Sequence, residues 1–261
     1  MVFHKRNVFV AGGTSGINLG IAQAFSKAGA RVAVFSRDPE RVKAATETLR
    51  TNGSEALGFT GDVRDPEAVA AALAGAHDAW GLIDVLVSGA AGNFVAPAAA
   101  MSPNGFKSVV DIDLLGNFNV LRAAYPWLRK PGASVINISA PQAIVPMLFQ
   151  AHVCAAKAGV DMLTKVLAME WGPEGVRVNA IVPGPIDGTE GMARLTPTEE
   201  SRRAVMRGIP LRRFGSIESV SGIALMLSSP VCEYVTGAIV PVDGGASLAG
   251  PGLFGAATAQ R

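Results

Sequence analysis

Two cysteines, Cys154 and Cys232, are all the thiol chemistry this 261-residue chain possesses. They form no disulfide framework and match no metal-ligand spacing, which excludes a cross-linked secreted scaffold and fits a reducing, cytoplasmic setting. Surplus charge is also lacking. The net charge is only +2 and is scattered along the chain, so a nucleic-acid surface is not expected. No uninterrupted apolar run is long enough for a membrane span. The two longest uncharged stretches, 85–106 and 131–156, are broken by Gly, Pro or Asn and read as buried strands with their loops. Residues 1–7 are charged and lead straight into a strand, so no signal peptide is expected. The final Ala259-Gln260-Arg261 differs from a peroxisomal address of the Ser-Lys-Leu type.

What the chain has is apolar bulk. Hydrophobic residues make up 49% and charged residues 17%, enough to bury a sizeable core in a length that suits one α/β domain. Short β-branched runs at 8–11, 31–35, 57–60, 83–87, 134–138, 176–181 and 239–242 alternate with helical patterns at 17–28, 39–51, 66–80, 104–128, 150–171 and 217–227. The alternation predicts βαβ units, and strands apolar along their length predict helices on both faces. The expected fold class is α/β: one Rossmann-type domain over 1–261, a doubly wound, parallel, seven-stranded sheet with helices on both faces. Two segments stand outside this rhythm. Residues 188–214 form a polar, arginine-bearing insertion at the carboxyl ends of the strands, where ligands of such sheets bind, and are expected to be a substrate flap. The Gly- and Ala-rich tail, 246–261, either docks on a neighbour or moves freely.

After the first strand comes Gly12-Gly13-Thr14-Ser15-Gly16-Ile17-Asn18, opening a helix. Gly12 and Gly16 let backbone approach a pyrophosphate that the helix N-terminus attracts, and the strand–loop–helix context supports a dinucleotide site. Asn18 stands where a third glycine is usual. The second strand ends in Ser36-Arg37 instead of an acidic residue that would grip a ribose 2′-hydroxyl; Arg37 pairs naturally with a 2′-phosphate, which favours NADP(H) over NAD. The alternative for Arg37 is a solvated surface charge. Asp38, followed by Pro39, reads as a helix N-cap.

On these motifs, together with Asp62-Val63, Ser88-Gly89-Ala90-Ala91-Gly92, Asn137-Ile138-Ser139, Lys157, Pro183-Gly184-Pro185 and Asp243-Gly244-Gly245, the chain resembles the short-chain dehydrogenase/reductase family over residues 7–246. The resemblance implies cofactor contacts from Gly12, Thr14, Ser15, Gly16 and Ile17, from Ser36 and Arg37, and from Ala90, Ala91 and Gly92. It implies Asp62 and Val63 at the adenine, Lys157 at the nicotinamide ribose, and Pro183, Gly184, Pro185, Ile186 and Thr189 on the nicotinamide side. The family's proton donor is a Tyr one helical turn before the Lys, on the same face. Here that position is Val153, the partner Ser falls on Ala140, and the family's helix Asn falls on Asp113. A valine cannot protonate an alkoxide.

These departures resemble the peroxisomal type of 2,4-dienoyl-CoA reductase and its bacterial relatives. The resemblance runs through Ala90-Ala91-Gly92-Asn93-Phe94, Asp111-Ile112-Asp113 with Gly116, Glu170-Trp171-Gly172-Pro173, and Gly188-Thr189-Glu190-Gly191. It implies a catalytic pair, Asp113 and Lys157, that holds a water. Gln142 takes the place of the displaced Tyr of mitochondrial relatives. It also implies an acyl-CoA substrate in fatty-acid metabolism, contacted by Arg37, Arg64, Phe94, Ser102 to Asn104 and Arg194, and a homo-oligomer, with a tetramer favoured. Arg202, Arg203, Arg207, Arg212 and Arg213 crowd the flap and either help bind phosphates or merely solvate a helix.

The chemistry explains how the tyrosine can be absent. Hydride added to the far end of a conjugated dienoyl thioester sends charge back to the thioester oxygen, and a carbon needs the proton. A carboxylate beside a lysine stays ionised, so Asp113 is expected to position water and not to donate directly. Other readings stay open: an oxidoreductase of carbonyls or alcohols using His152 or water as acid, and a non-catalytic NADP-binding protein.

Overall fold

Alternation along β1 (Asn7–Ala11) sets the layering. Val8 and Val10 enter one buried cluster, Phe9 and Ala11 the other, because successive side chains of a strand point to opposite faces. The computed structural model describes residues 2–249, and β1 lies inside its sheet, beside the middle strand. The other strands are β2 (Arg31–Ser36), β3 (Ala56–Thr60), β4 (Val85–Ser88), β5 (Ser134–Ile138), β6 (Arg177–Pro183) and β7 (Ile239–Val242). They form one seven-stranded sheet in the order β3-β2-β1-β4-β5-β6-β7, with every pair parallel. Strand order reverses between β1 and β4, which opens a crevice at their carboxyl ends.

Helices cover both faces. One layer holds α1 (Gly16–Lys27), α2 (Pro39–Thr51) and α9 (Ile217–Ser228), packed on Val8, Val10, Val32 and Val34. The other holds α3 (Pro66–Trp80), α5 (Gly116–Ala124) and α6 (Ala151–Trp171), packed on Phe9, Phe35, Leu86 and Val135. Asp38 caps α2 as expected, accepting from the N–H groups of Glu40 and Arg41.

The structure refines the sequence reading in three places and leaves the tail largely untested. The helical pattern 104–128 is not one helix: α4 (Pro103–Val110) passes through a π-helical turn, Asp111–Leu115, into α5, and a short turn at Tyr125–Trp127 follows. The edge strands β3 and β7 are only partly covered. The insertion 188–214 contains α7 (Glu190–Leu195) and α8 (Glu199–Gly208) around a small apolar cluster of Met192, Val205, Ile209 and Phe214, so it is less polar inside than its composition suggests. Of the tail, Ala246–Ala249 forms a short helical turn, and 250–261 lie outside the described residues.

The α1–α9 contact is tight enough to test. A Cβ on Gly20 would stand 1.9 Å from Ile217 Cγ2. Gly20→Ala gains about 1 kcal/mol of helix propensity but meets an overpacking cost of roughly 1–3 kcal/mol. A fall of a few degrees in the thermal midpoint is expected. An unchanged midpoint would show that Ile217 yields freely.

Candidate active site

The crevice beyond β1 and β4 is a cleft of about 870 Å³ lined by Gly12, Thr14, Ser15, Asn18, Ser36, Arg37, Asp62, Val63 and residues 89–93. Gly12 has φ +76°, and a Cβ there would meet Ala90 N at 2.8 Å, so only glycine lets the two loops touch. Ser15 occupies the N-cap of α1 but its side chain makes no capping hydrogen bond. The first N–H groups of α1 therefore keep their capacity for an anion, aided by the positive end of the helix. Ile17 packs its side chain towards the core, leaving its backbone to line the loop.

Cationic side chains close the far end. Arg64 donates to Asp62 at 2.6 and 3.0 Å and holds that carboxyl below the usual range, while Arg37, 61% exposed, stands 3.8 Å from it. Arg41 of α2 approaches Glu190 of α7 at 3.9 Å across the cleft rim, while Arg194 pairs with Glu190 within α7 at 3.2 Å. Arg41 and Asn93 line the cleft without having been singled out from sequence. The signal for Arg41 was available: side chains in a first helical turn lean back towards the helix N-terminus, and α2 starts at Pro39. The cradle of glycines, the uncapped helix and the arginines together suit the phosphates of a dinucleotide.

Deeper in, the π-helical turn carries Asp113 to Lys157 of α6. Lys157 Nζ lies 3.4 Å from Asp113 Oδ2, and the two side chains are 6% and 1% exposed. Asp113 Oδ1 accepts from the Gly92 N–H at 2.7 Å, and Lys157 donates to the Ile138 carbonyl at 3.0 Å. These bonds fix both groups while leaving lone pairs of Oδ2 able to accept from a water.

No acid stands at the position of the missing tyrosine; the buried acid on that helix face is Asp161, one turn beyond Lys157, and burial pushes its carboxyl up. Val153 is buried, and the Gln142 amide donates to Gln150 at 2.9 Å. His152 is fully buried beneath Phe94, with ring centroids 4.4 Å apart, and burial pushes its imidazole below the ordinary histidine range. Neither ring nitrogen makes a hydrogen bond in the structure.

The remaining predicted contacts are placed unevenly. The Phe94 ring reaches the first turn of α4, 3.3 Å from where a Gly105 Cβ would be, so Ser102 and Asn104 adjoin it. The Ser102 hydroxyl is already engaged in capping, accepting from Gly105 N–H at 3.0 Å. Thr189 likewise caps α7 and donates to the Ile186 carbonyl at 2.9 Å. Pro183, Pro185 and Ile186 are buried behind the cleft, with Gly184 pressed against Asp243. Arg202 pairs with Asp187 at 3.1 Å and lies over the Phe214 ring, a structural use.

Comparison with known proteins accords with this geometry. A family model described as enoyl-(acyl carrier protein) reductase matches residues 11–247. A solved short-chain type dehydrogenase/reductase from Mycobacterium ulcerans superposes with TM-score 0.91 at 30% identity, covering 95% of this chain and 92% of that one. The chain belongs to the short-chain dehydrogenase/reductase family. Among its curated relatives is the peroxisomal 2,4-dienoyl-CoA reductase [(3E)-enoyl-CoA-producing] of Pongo abelii, 42% identical over 245 residues that cover 93% of this chain and 84% of that protein. The protein of the same name from Arabidopsis thaliana is 41% identical over 252 residues, covering 93% and 84%. As a short-chain dehydrogenase/reductase it is an oxidoreductase that uses a nicotinamide cofactor. No helix among the described residues is long and apolar enough to cross a membrane, and no group of metal-binding side chains occurs among them.

Proposed function

We propose that this protein is an NADPH-dependent 2,4-dienoyl-CoA reductase in fatty-acid metabolism, in which a water held by Asp113 and Lys157 delivers the proton. The observation that carries the reading is the buried carboxylate–ammonium pair, 3.4 Å apart, with Val153 where a phenol would otherwise serve. When bound, NADPH supplies hydride to the far end of the conjugated system. Asp113 accepts a hydrogen bond from the water, and the Lys157 ammonium stabilises the negative charge left as that water gives up its proton. The (3E)-enoyl product named for the relatives requires the proton on the carbon beside the thioester. Phe94, Val95, Phe106, Ile144 and Leu148, an exposed apolar group around the site, receive the acyl chain. Arg64 and Arg194 take the CoA phosphates, and α7 with α8 acts as the flap.

Arg37 and Arg41 are assigned to the 2′-phosphate of NADPH. The enzyme is expected to consume the absorbance of a dienoyl-CoA with NADPH and much more slowly with NADH. Arg37→Ala should cut kcat/KM for NADPH by roughly 10- to 100-fold, the value of a charge-assisted contact, and leave NADH nearly unaffected. Equal losses with both cofactors would remove Arg37 from that role, and no turnover with either would remove the function itself.

A homotetramer is part of this reading. Ala124 and Ala156 are buried in the subunit, but Ala155, Ala158, Met162, Val166 and Met169 leave a helix-spaced small and apolar stripe exposed on α6. The cytoplasm is the proposed location, since Cys154 and Cys232 are both free thiols.

A further inference from the structure

We propose that Asn18 is a positioning residue, matched to Gly89, that ties the dinucleotide loop to the loop holding Asp113. It sits in the first turn of α1, buried at the rim of the cleft, and its Nδ2 donates to the Gly89 carbonyl at 2.7 Å. Gly89 directly follows β4, where its own N–H donates to the Ala11 carbonyl at 3.1 Å. Three residues on, the Gly92 N–H grips Asp113 Oδ1. The connection therefore runs from α1 through Asn18 and Gly89 to Gly92 and the carboxylate.

Packing shows that the two residues require each other. A Cβ on Gly89 would meet Asn18 Nδ2, Oδ1 and Cγ at 2.5, 2.6 and 2.8 Å, and these are its three nearest atoms. Glycine at 89 leaves the space that the amide fills. The amide is a costly filler if stability were its only purpose, because its Oδ1 is buried without a donor. Its orientation is set by the carbonyl it binds: turning the amide over would place oxygen against oxygen. Gly12, pressed on Ala90 N, makes the second contact between the same two loops. Cofactor loop and proton-delivery loop are thus held in one register before any ligand arrives.

This inference rests on the reading of Asp113 as the water-holding group, and its test is separable from that reading. Asn18→Ala fits within the existing Cβ and removes the amide; Asn18→Gly is the second variant should the first not fold. Hydrogen–deuterium exchange of residues 89–93 is measured in full-length protein, with and without NADPH, beside kcat, acyl-CoA KM and the thermal midpoint. Exchange at Gly92 is expected to rise and kcat to fall by roughly five- to tenfold, the size of one lost buried hydrogen bond, with KM nearly unchanged and the midpoint lower by no more than a few degrees. Gly89→Ala alone should be more damaging, and Asn18→Ala/Gly89→Ala should recover to the level of Asn18→Ala. Unchanged exchange in the Asn18 variants, or strictly additive losses in the double variant, would overturn the proposal. Absence of dienoyl-CoA turnover in the wild type would overturn the functional reading instead, while exchange at Gly92 would still judge the tie.

Discussion

Asp113→Asn is expected to lower kcat for dienoyl-CoA reduction by two to four orders of magnitude, the usual worth of positioned proton transfer, while NADPH binds within about twofold of wild type. Asparagine keeps the volume of the carboxylate and an oxygen that can still accept from the Gly92 N–H. What it removes is the negative charge opposite Lys157 and an acceptor for the water. A geometric role for Asp113 would survive the exchange; a role in polarising solvent would not. Rapid-mixing kinetics with saturating NADPH decide between them, and a rate within tenfold of wild type would end the proposed mechanism.

Lys157→Met is expected to damage both fold and chemistry. The pair is almost wholly withdrawn from solvent, so removing the cation leaves Asp113 as an uncompensated buried charge. That situation typically costs about 3–5 kcal/mol, or roughly ten degrees in thermal midpoint for a chain of this size. Adding Asp113→Leu should restore much of the midpoint, because the stranded charge is gone, yet restore no activity. The contrast separates two uses of one ion pair. If Lys157→Met unfolds at the wild-type temperature and turns over normally, the pair contributes to neither.

The sheet was readable because its central strands are apolar on both faces, and β1, β4, β5 and β6 are covered on both sides as that pattern implies. Boundaries shifted where side chains took on other work. Ile83 forms only an isolated bridge to Leu128, and Asp84 accepts from Arg6, Arg129 and the Asn7 N–H, so β4 begins at Val85. The π-helical turn was invisible because Asp111-Ile112-Asp113-Leu114-Leu115 has an ordinary helical composition; the wider turn is set by tertiary packing and not by propensity. Resemblance points to Asp113 and Lys157, but it is the fold that brings a residue of one helix to 3.4 Å from a residue of another. Asn18 was noticed as a departure, and its partner Gly89 was not, since nothing in the local sequence links positions so far apart.

The wide turn at Asp111–Leu115 has a consequence for how such a site can arise or vanish. Each residue in a helix advances the side-chain direction by about 100°, so the extra residue accommodated there sets the heading of everything around it. Losing one amino acid from this stretch would let the helix relax to ordinary winding and swing the carboxylate away from the lysine, with the fold spared. The proposed proton delivery is therefore vulnerable to a one-codon deletion as well as to a change of residue type, and comparison of gap placement would find such losses that inspection of residue identity misses.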